Sequence, residues 1–367
     1  MSITQSKLFN SAFLLLALIS YNTIATGFTM FSKNKYEYQA SEGAPQNYPM
    51  QIISGTFSYH DNSGSLSVPN MVTVSNGWGK WRSSHVTSET NRPLPGKLSL
   101  IFFSYIENQF YKGEFELPIE KIQALFDKGY YSINQGDDVT FDMFIVGMAP
   151  GGYVTVWANG YDKTIEVFSG YANKIEGDWS WIYDGDDLTR EAYLKMVIDD
   201  ELSSLDNPDA FREQAMPVGR WEKYSTERYM WEPVLTDIKL RDNLIKAIHY
   251  YNGEDDYLNV PLGDFHKGKT LAIPDLMKIT WNRTGYLIND LSIHIFFDED
   301  EIFSAFEALA KDNEPMEMEL KMEPEKNYDF TIWLRNSKNN IELKKTKIKT
   351  WKPGGMRYEN AGPKDTE

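Results

Sequence analysis

The segment Met148-Ala-Pro-Gly-Gly-Tyr-Val-Thr-Val-Trp-Ala-Asn-Gly160 is the strongest indicator of the architecture, because a weaker copy, Met322-Glu-Pro-Glu-Lys-Asn-Tyr-Asp-Phe-Thr-Ile-Trp-Leu-Arg-Asn336, occurs later in the chain. Other pairs of similar segments follow in the same order: Phe57–Asn62 with Ile248–Gly253, Val68–Met71 with Ile273–Leu276, and Leu98–Phe103 with Leu291–Phe297. One pair would be chance. Four collinear pairs indicate that a domain has been duplicated.

The first copy carries strand patterns on both sides of one helix pattern. Ile119, Ile122 and Leu125 fall on one helical face, and Gly129 is a typical helix stop. The spacing predicts a helix over 119–127 and strands over 50–59, 71–74, 97–105, 141–146, 153–157 and 164–168. Strands grouped around a single helix are typical of an α+β domain, with an antiparallel sheet and the helix packed on one face.

The second copy predicts strands over 244–251, 277–281, 290–297, 316–322, 329–334 and 341–347, with a helix over 299–310. A segment without a partner in the other copy lies between them, with helical spacing over 188–205 and a helical or irregular stretch over 210–231. The predicted fold class is therefore α+β, with two tandem repeats joined by a partly helical junction. The expected divisions are a signal peptide at 1–27, a first repeat at 28–187, a junction at 188–232, a second repeat at 233–352 and a flexible tail at 353–367.

The N-terminus has the pattern of a secretory signal. Lys7 precedes the apolar run Ala12–Ile19, and small residues follow, with cleavage expected after Ala25 or Gly27. This run is much shorter than the roughly 20 apolar residues that span a bilayer. We therefore expect a periplasmic, exported protein that does not span the membrane after cleavage. The alternative is anchoring in the inner membrane through an uncleaved N-terminal segment.

Composition narrows the classes of partner. The chain has 367 residues, a formal net charge of −16 and no cysteine. Nucleic acid and anionic lipid are unlikely partners for such an acidic protein, because both are bound through Lys and Arg. Without cysteine there is no disulfide framework, no thiolate metal site and no lipid-attachment cysteine. Acidity favours a basic protein partner, although it also serves solubility alone.

Signals for catalysis or metal binding are weak. The histidines are His60, His85, His249, His266 and His294, and none has a zinc-binding spacing. No G-x-S-x-G nucleophile motif occurs, and residues 147–152 indicate a hairpin turn and not a phosphate loop. We therefore predict no catalytic residue, no metal and no cofactor. Paired glycosidase carboxylates remain open, since their separation is not visible in a sequence.

Aromatic and acidic residues supply the candidate binding site. Trp78 and Trp81 flank a short glycine-containing loop, and Trp179 and Trp181 precede the acidic run Asp184–Asp187. Exposed aromatic residues beside carboxylates suit a protein interface, where aromatic anchors carry much of the binding energy. The predicted partner-binding residues are Trp78, Trp81, Trp179, Trp181, Asp184, Asp186 and Asp187. The alternative is that these rings cap a sheet edge or pack between domains.

The first copy resembles a bacterial envelope family known as domain of unknown function 2931. The residues that carry the resemblance are Tyr36, Ala44-Pro45, Asn47-Tyr-Pro49, Ser75-Asn-Gly-Trp-Gly79, Arg92-Pro-Leu-Pro95, Phe103-Ser-Tyr-Ile-Glu-Asn-Gln-Phe-Tyr-Lys-Gly-Glu-Phe-Glu-Leu-Pro118, Ile145-Val-Gly-Met-Ala-Pro-Gly-Gly152 and Val156-Trp157. The resemblance implies a lipoprotein, from which this chain departs because it lacks the cysteine. It also implies genes beside secretion systems and toxins, and it supplies no catalytic residues.

Together these features predict an exported, non-enzymatic binding protein. The sharpest form is an immunity protein that neutralises a secreted, type VI-like antibacterial effector with a basic cleft in the periplasm. The alternatives are an envelope hydrolase acting on glycan through paired carboxylates and a structural envelope protein.

Overall fold

The computed structural model of the chain describes residues 35–85, 91–236, 244–261, 268–282, 290–323, 329–351 and 357–359. The predicted signal peptide at 1–27 and His266 lie outside the described residues, as does most of the predicted tail.

Helices occur where the apolar spacing predicts them. Their bounds are α1 (Ile119–Lys128), α2 (Arg190–Leu202), α3 (Pro208–Glu213), α4 (Arg220–Thr226) and α5 (Glu299–Ala310). The predicted helices over 119–127, 188–205 and 299–310 are confirmed as α1, α2 and α5. The stretch over 210–231 forms parts of α3 and α4 and then the start of a strand.

The strands of the first half are β1 (Tyr36–Glu37), β2 (Gln39–Gly43), β3 (Met50–Tyr59), β4 (Ser65–Ser67), β5 (Thr73–Val74), β6 (Asn91–Arg92), β7 (Pro95–Ser104), β8 (Gln109–Glu116), β9 (Tyr130–Ser132), β10 (Asp137–Val139), β11 (Met143–Ala149), β12 (Tyr153–Asn159), β13 (Lys163–Tyr171) and β14 (Asn173–Ile175). Those of the second half are β15 (Arg228–Thr236), β16 (Leu244–Tyr250), β17 (Asp255–Pro261), β18 (Thr270–Ala272), β19 (Pro274–Asn282), β20 (Asp290–Phe296), β21 (Met316–Glu323), β22 (Asp329–Arg335), β23 (Asn340–Glu342), β24 (Lys347–Trp351) and β25 (Arg357–Glu359).

Each half contributes strands to two sheets. In the first half the orders are β14-β8-β7-β3-β4, with β5 also on β3, and β2-β11-β12-β13. In the second half the corresponding orders are β24-β20-β19-β16-β17, with β25 on β24, and β15-β21-β22-β23, with β18 on β15. The pairs β2–β11 and β15–β21 are parallel, and the other neighbours are antiparallel.

The α+β class is confirmed, but the prediction of a single antiparallel sheet in each half is wrong. Two features account for the error. Residues 39–43 lie outside every predicted strand, and β15 crosses the boundary expected at 232 between the junction and the second repeat, yet both β2 and β15 pair in parallel with a later strand. The strand β8 was also missed, because Gly113 and alternating charges weaken its apolar pattern.

The hairpins that opened the sequence comparison have matching registers. Trp157 pairs with Ile145, three residues before Met148. Trp333 pairs with Glu319, three residues before Met322. The pair Leu98–Phe103 and Leu291–Phe297 is not equivalent, however. The first segment lies in β7, whereas the second forms most of β20, which leads directly into a helix as β8 does.

The helix α1 packs its apolar face against a sheet. Ile122 and Phe126 are buried, and the Phe126 ring stacks on Phe144 of β11 with centroids 5.3 Å apart. In the second half α5 buries Phe306, which lies against Trp231 of β15. The side chain of Asp298 accepts a hydrogen bond from the backbone N–H of Glu301 at 3.1 Å, so the acidic start of α5 has a structural role as a helix cap.

The halves are joined by a strand pair. Lys163 and Thr164 of β13 pair with Asp256 and Asp255 of β17, so one sheet runs from β2 through β13 and β17 to β25. We call the contact of residues 79–81 and 157–166 with residues 252–257 the seam. The candidate site described next is built on it.

Candidate functional site

The glycine loop brings Trp78 and Trp81 to the seam in different environments. The Trp78 ring packs edge-on against Trp157, with centroids 4.8 Å apart, and its nitrogen is buried. Trp81 is 56% exposed. The sequence predicted one role for both residues. The structure gives Trp78 a place against the core and leaves Trp81 open to a partner.

Two glycines allow the loop to approach the second half closely. Gly79 and Gly253 have φ values of 74° and 84°, in the region that favours glycine. A Cβ on Gly79 would lie 2.2 Å from the carbonyl oxygen of Gly253. Beside this contact the indole nitrogen of Trp157 donates to the carbonyl of Asn252 at 3.0 Å.

The acidic run Glu254–Asp256 is buried at the seam. Asp255 forms an ion pair with Lys80 at 2.5 Å and contacts Nδ1 of His249 at 2.6 Å. Asp256 pairs with Lys163. Three consecutive acidic residues are typical of an exposed loop. Here Asp255 and Asp256 begin β17, and the charges of the run are matched by cations distant in sequence.

Glu254 completes the seam on its other side. It pairs with Arg228 at 2.7 Å and accepts from the backbone N–H of Glu166 at 3.0 Å. Burial, followed by the nearby Glu254 carboxylate, raises the pKa of Glu166. The amide of Asn252 donates to Glu166 at 3.2 Å. These bonds fix the halves to each other.

A cleft of about 490 Å³ opens at the seam, and we call it the seam cleft. Its aromatic wall contains Trp81, Tyr161 and Tyr257, which are 56%, 56% and 38% exposed. Its polar floor includes Lys80, His249 and Asp275. The volume falls in the range of small-molecule sites.

Four buried polar atoms that belong to residues lining the seam cleft have no hydrogen-bond partner among the described residues. They are Nε1 of Trp78, Nε2 of His249, the hydroxyl of Tyr250 and Oδ1 of Asp275. Burial raises the pKa of Asp275, although the nearby His249 acts in the opposite direction. Since a buried polar atom without a partner costs about 1–3 kcal/mol, such a concentration is typical of functional sites.

The second tryptophan pair lies on a separate cluster of core residues. Trp179 and Trp181 form a short 3-10 turn, which begins where Asp178 accepts a hydrogen bond from the N–H of Ser180 at 3.0 Å. Trp179 packs against Phe103 with centroids 5.8 Å apart. This cluster is distinct from the larger core against which Trp78 packs.

Trp181 packs against the protein on one side of its ring and is exposed to solvent on the other. Its ring meets Phe110 edge-on at 5.7 Å, and it is 36% exposed. The guanidinium of Arg190 stacks on the Trp179 ring at 4.8 Å and donates to Asn108 at 2.8 Å. This packing fixes the turn without covering Trp181.

The acidic residues lie in the same segment. We call residues 176–189 the Trp–Asp loop; its acids are Glu176, Asp178, Asp184, Asp186 and Asp187, all exposed, and it contains no Lys or Arg. Hydrogen bonds from Ser180 lower the pKa of Asp178, and the hydroxyl of Tyr183 donates to Asp187. The predicted residues therefore form two sets, Trp78 with Trp81 and Trp179–Trp181 with the Asp184–Asp187 run.

Sequence reasoning missed the rest of the seam cleft. Tyr161 follows a turn glycine, and Asp275 lies in the Ile273–Leu276 segment that was used only as evidence of duplication. His249 lies in no motif that indicates a binding site. Its pairing with Asp255 depends on the β16–β17 hairpin, in which the two residues are in register.

Two general features of the described residues bear on the class of site. None of their His, Asp and Glu side chains form a group of three or more that is suited to hold a metal ion. No helix in this part of the chain is long and apolar enough to cross a membrane.

The elements described above define an α+β protein with strands in several sheets and candidate binding surfaces at the seam and at the Trp–Asp loop. The chain belongs to a family described as "Protein of unknown function (DUF2931)", whose pattern matches residues 25–219. The predicted resemblance is thereby confirmed, and the match extends through α2 and α3. Comparison with curated proteins and with solved structures gives no match.

Proposed function

We propose that this chain is an exported, non-enzymatic inhibitor that binds a secreted, type VI-like antibacterial effector in the periplasm. The Trp–Asp loop is the proposed contact surface, and the effector's basic cleft is its proposed target.

The main support for the proposal is that Trp181 is exposed while its ring packs against buried aromatic residues. An exposed tryptophan whose ring is already held by neighbouring aromatic side chains loses little conformational freedom on binding. Tryptophans of this kind contribute much of the binding energy of protein interfaces. Here Phe110 packs against Trp181, and Phe103 packs against the neighbouring Trp179.

Charge supports the choice of partner. The Trp–Asp loop itself contains five acidic side chains and no Lys or Arg, within a chain of net charge −16. Such a surface attracts a basic protein and accelerates its association. It also repels nucleic acid.

The non-enzymatic part of the proposal has separate support. Asp255 is the carboxylate nearest to His249 in the cleft, but Lys80 pairs with it at 2.5 Å. A carboxylate held in this way is poorly suited to act as a nucleophile or a general base.

We also infer that the two halves arose by duplication. The corresponding strand orders and the equal registers of Trp157 and Trp333 support this inference. The Trp–Asp loop lies outside the segments whose sequences are similar in the two halves, as expected of a functional addition to a shared scaffold.

The test is protection. The mature chain is produced in the periplasm of cells that receive the product of the neighbouring gene, and survival is counted. Protection by the wild-type chain, and loss of protection in the triple variant Asp184→Asn, Asp186→Asn, Asp187→Asn, is the expected result. No protection by a wild-type chain that is produced and folded would overturn the proposal.

A further inference from the structure

We propose that the seam cleft binds a short neutral saccharide, which is a ligand distinct from the protein partner of the Trp–Asp loop. The inference does not depend on the proposed inhibitory function, because it rests on other residues.

One wall of the seam cleft is aromatic. Trp81, Tyr161 and Tyr257 are among the most exposed large aromatic residues of the described chain, and all three line the same cleft. The apolar faces of exposed aromatic rings are unfavourable in water, and a ligand that covers them gains free energy in proportion to the area buried. Sugar rings present C–H faces that pack on aromatic rings and cover them.

The polar floor of the cleft contains several unsatisfied groups. Trp78 supplies a buried N–H donor and Asp275 a buried carboxyl oxygen. The Tyr250 hydroxyl both donates and accepts, whereas Nε2 of His249 donates or accepts according to its tautomer. A saccharide hydroxyl is itself both donor and acceptor. It therefore satisfies either kind of group, which a purely anionic or cationic ligand does not.

The charges at the floor of the seam cleft are nearly balanced. The cations Lys80 and Lys163 face Asp255 and Asp256, so the charges of the floor largely compensate one another. Lys278 and Asp275 add one charge of each sign. A floor with balanced charge favours a neutral polar ligand over a charged one.

The seam cleft is lined by residues from both halves of the chain. Its walls come from the 78–81 loop and the β12–β13 turn of the first half and from β16, β17 and β19 of the second. Neither half alone forms this site. A ligand there contacts both halves and stabilises the seam by mass action.

The test uses the full mature chain and calorimetric titration with two neutral probes, N-acetylchitotriose and maltotriose, beside trialanine as a peptide probe. We expect at least one saccharide to bind with a dissociation constant of about 1 mM or tighter, a modest affinity for a ligand of this size. The N-acetylated probe tests an envelope-type glycan, and maltotriose tests a plain glucose oligomer. No binding of either, or tighter binding of trialanine, overturns the proposal.

Variants locate the binding. Trp81→Ala and Asp275→Asn should each weaken saccharide binding by about tenfold or more, through loss of ring stacking and of a carboxylate acceptor. Tyr161→Phe keeps the ring face and should bind as the wild type does, whereas Tyr161→Ala should bind more weakly. The matched control is Trp181→Ala, the same change outside the cleft. Equal affinity in Trp81→Ala and wild type, with circular dichroism showing both folded, contradicts the proposal.

Discussion

Gly79 and Gly253 pack backbone against backbone where the two halves of the chain meet. A Cβ on Gly79 would lie 2.2 Å from the carbonyl oxygen and 2.5 Å from the Cα of Gly253. These atoms belong to the main chain, so no side-chain rotation can relieve the contact. The seam therefore depends on glycine at position 79.

Gly79→Ala should destabilise the fold by about 3 kcal/mol or more, because a left-handed residue gains a Cβ that collides with backbone. Urea unfolding measures the loss. Gly136→Ala is the matched control, since Gly136 has a similar φ of 72° but nothing within 4 Å of its Cβ position. We expect the control to lose only about 1 kcal/mol. Equal losses in the two variants would show that the seam contact is not tight.

Trp157→Phe should cost about 2–3 kcal/mol, because it leaves a cavity in the core and removes the hydrogen bond to the Asn252 carbonyl. Trp333 occupies the equivalent register but donates to its own strand, to Thr331 at 3.3 Å, and is only half-buried. Trp333→Phe should therefore cost less than about 1 kcal/mol. Denaturant titration of both variants gives the comparison, and a larger loss in Trp333→Phe would contradict the described burial.

Stability should depend on pH through Asp275. Burial raises its pKa above the ordinary value of 3.8, so the folded state holds this proton more tightly than the unfolded chain. The protonated Asp275 carboxyl therefore contributes fully to the free energy of unfolding below the pKa that this group has in the unfolded chain. This contribution is lost as the pH rises through its pKa in the folded state. The charged groups that act on Asp275 are His249, Asp255 and Lys80.

Asp275→Asn removes this titration. The variant should match the wild type below pH 3.8 and become the more stable of the two as the pH rises, which thermal unfolding across the acid-to-neutral range measures. The exposed Asp138→Asn serves as the matched control for the substitution itself. A stability difference for Asp275→Asn that shrinks with rising pH would refute the assigned direction.

Association with a basic effector should be sensitive to salt. The triple change of Asp184, Asp186 and Asp187 to Asn removes three exposed charges from the Trp–Asp loop. We expect a slower association rate and a weaker dependence of that rate on ionic strength, because exposed charges act mainly through steering. Stopped-flow fluorescence measures both. An unchanged salt dependence would exclude this loop as the steering surface.

Regular elements could be predicted because their signals are local. The face of Ile119, Ile122 and Leu125 followed by Gly129 is enough to specify α1, and the Met148–Gly160 stretch specifies its hairpin. By contrast, β15 and β2 pair in parallel with strands far along the chain. Their own sequences contain no sign of those partners.

Some features of the candidate site could also be predicted from local sequence, whereas others depend on residues far apart in the chain. The exposure of Asp184 and its neighbours agrees with their polar, glycine-containing run. The burial of Glu254–Asp256 could not be predicted, because it depends on cations brought from Lys80, Lys163 and Arg228 by the fold. Trp78 and Trp81 look equivalent in the sequence, and the packing of Trp78 against Trp157, Tyr153 and Trp221 distinguishes them.

The most direct test of the inhibitory role is calorimetric titration of the purified effector from the neighbouring gene with wild type, Trp181→Ala and Trp81→Ala. We expect nanomolar-range binding by the wild type, a loss of about tenfold to a hundredfold in Trp181→Ala, and little change in Trp81→Ala, since an exposed anchor carries much of an interface's energy. Micromolar or weaker binding by the wild type, or unchanged affinity in Trp181→Ala, would contradict the account.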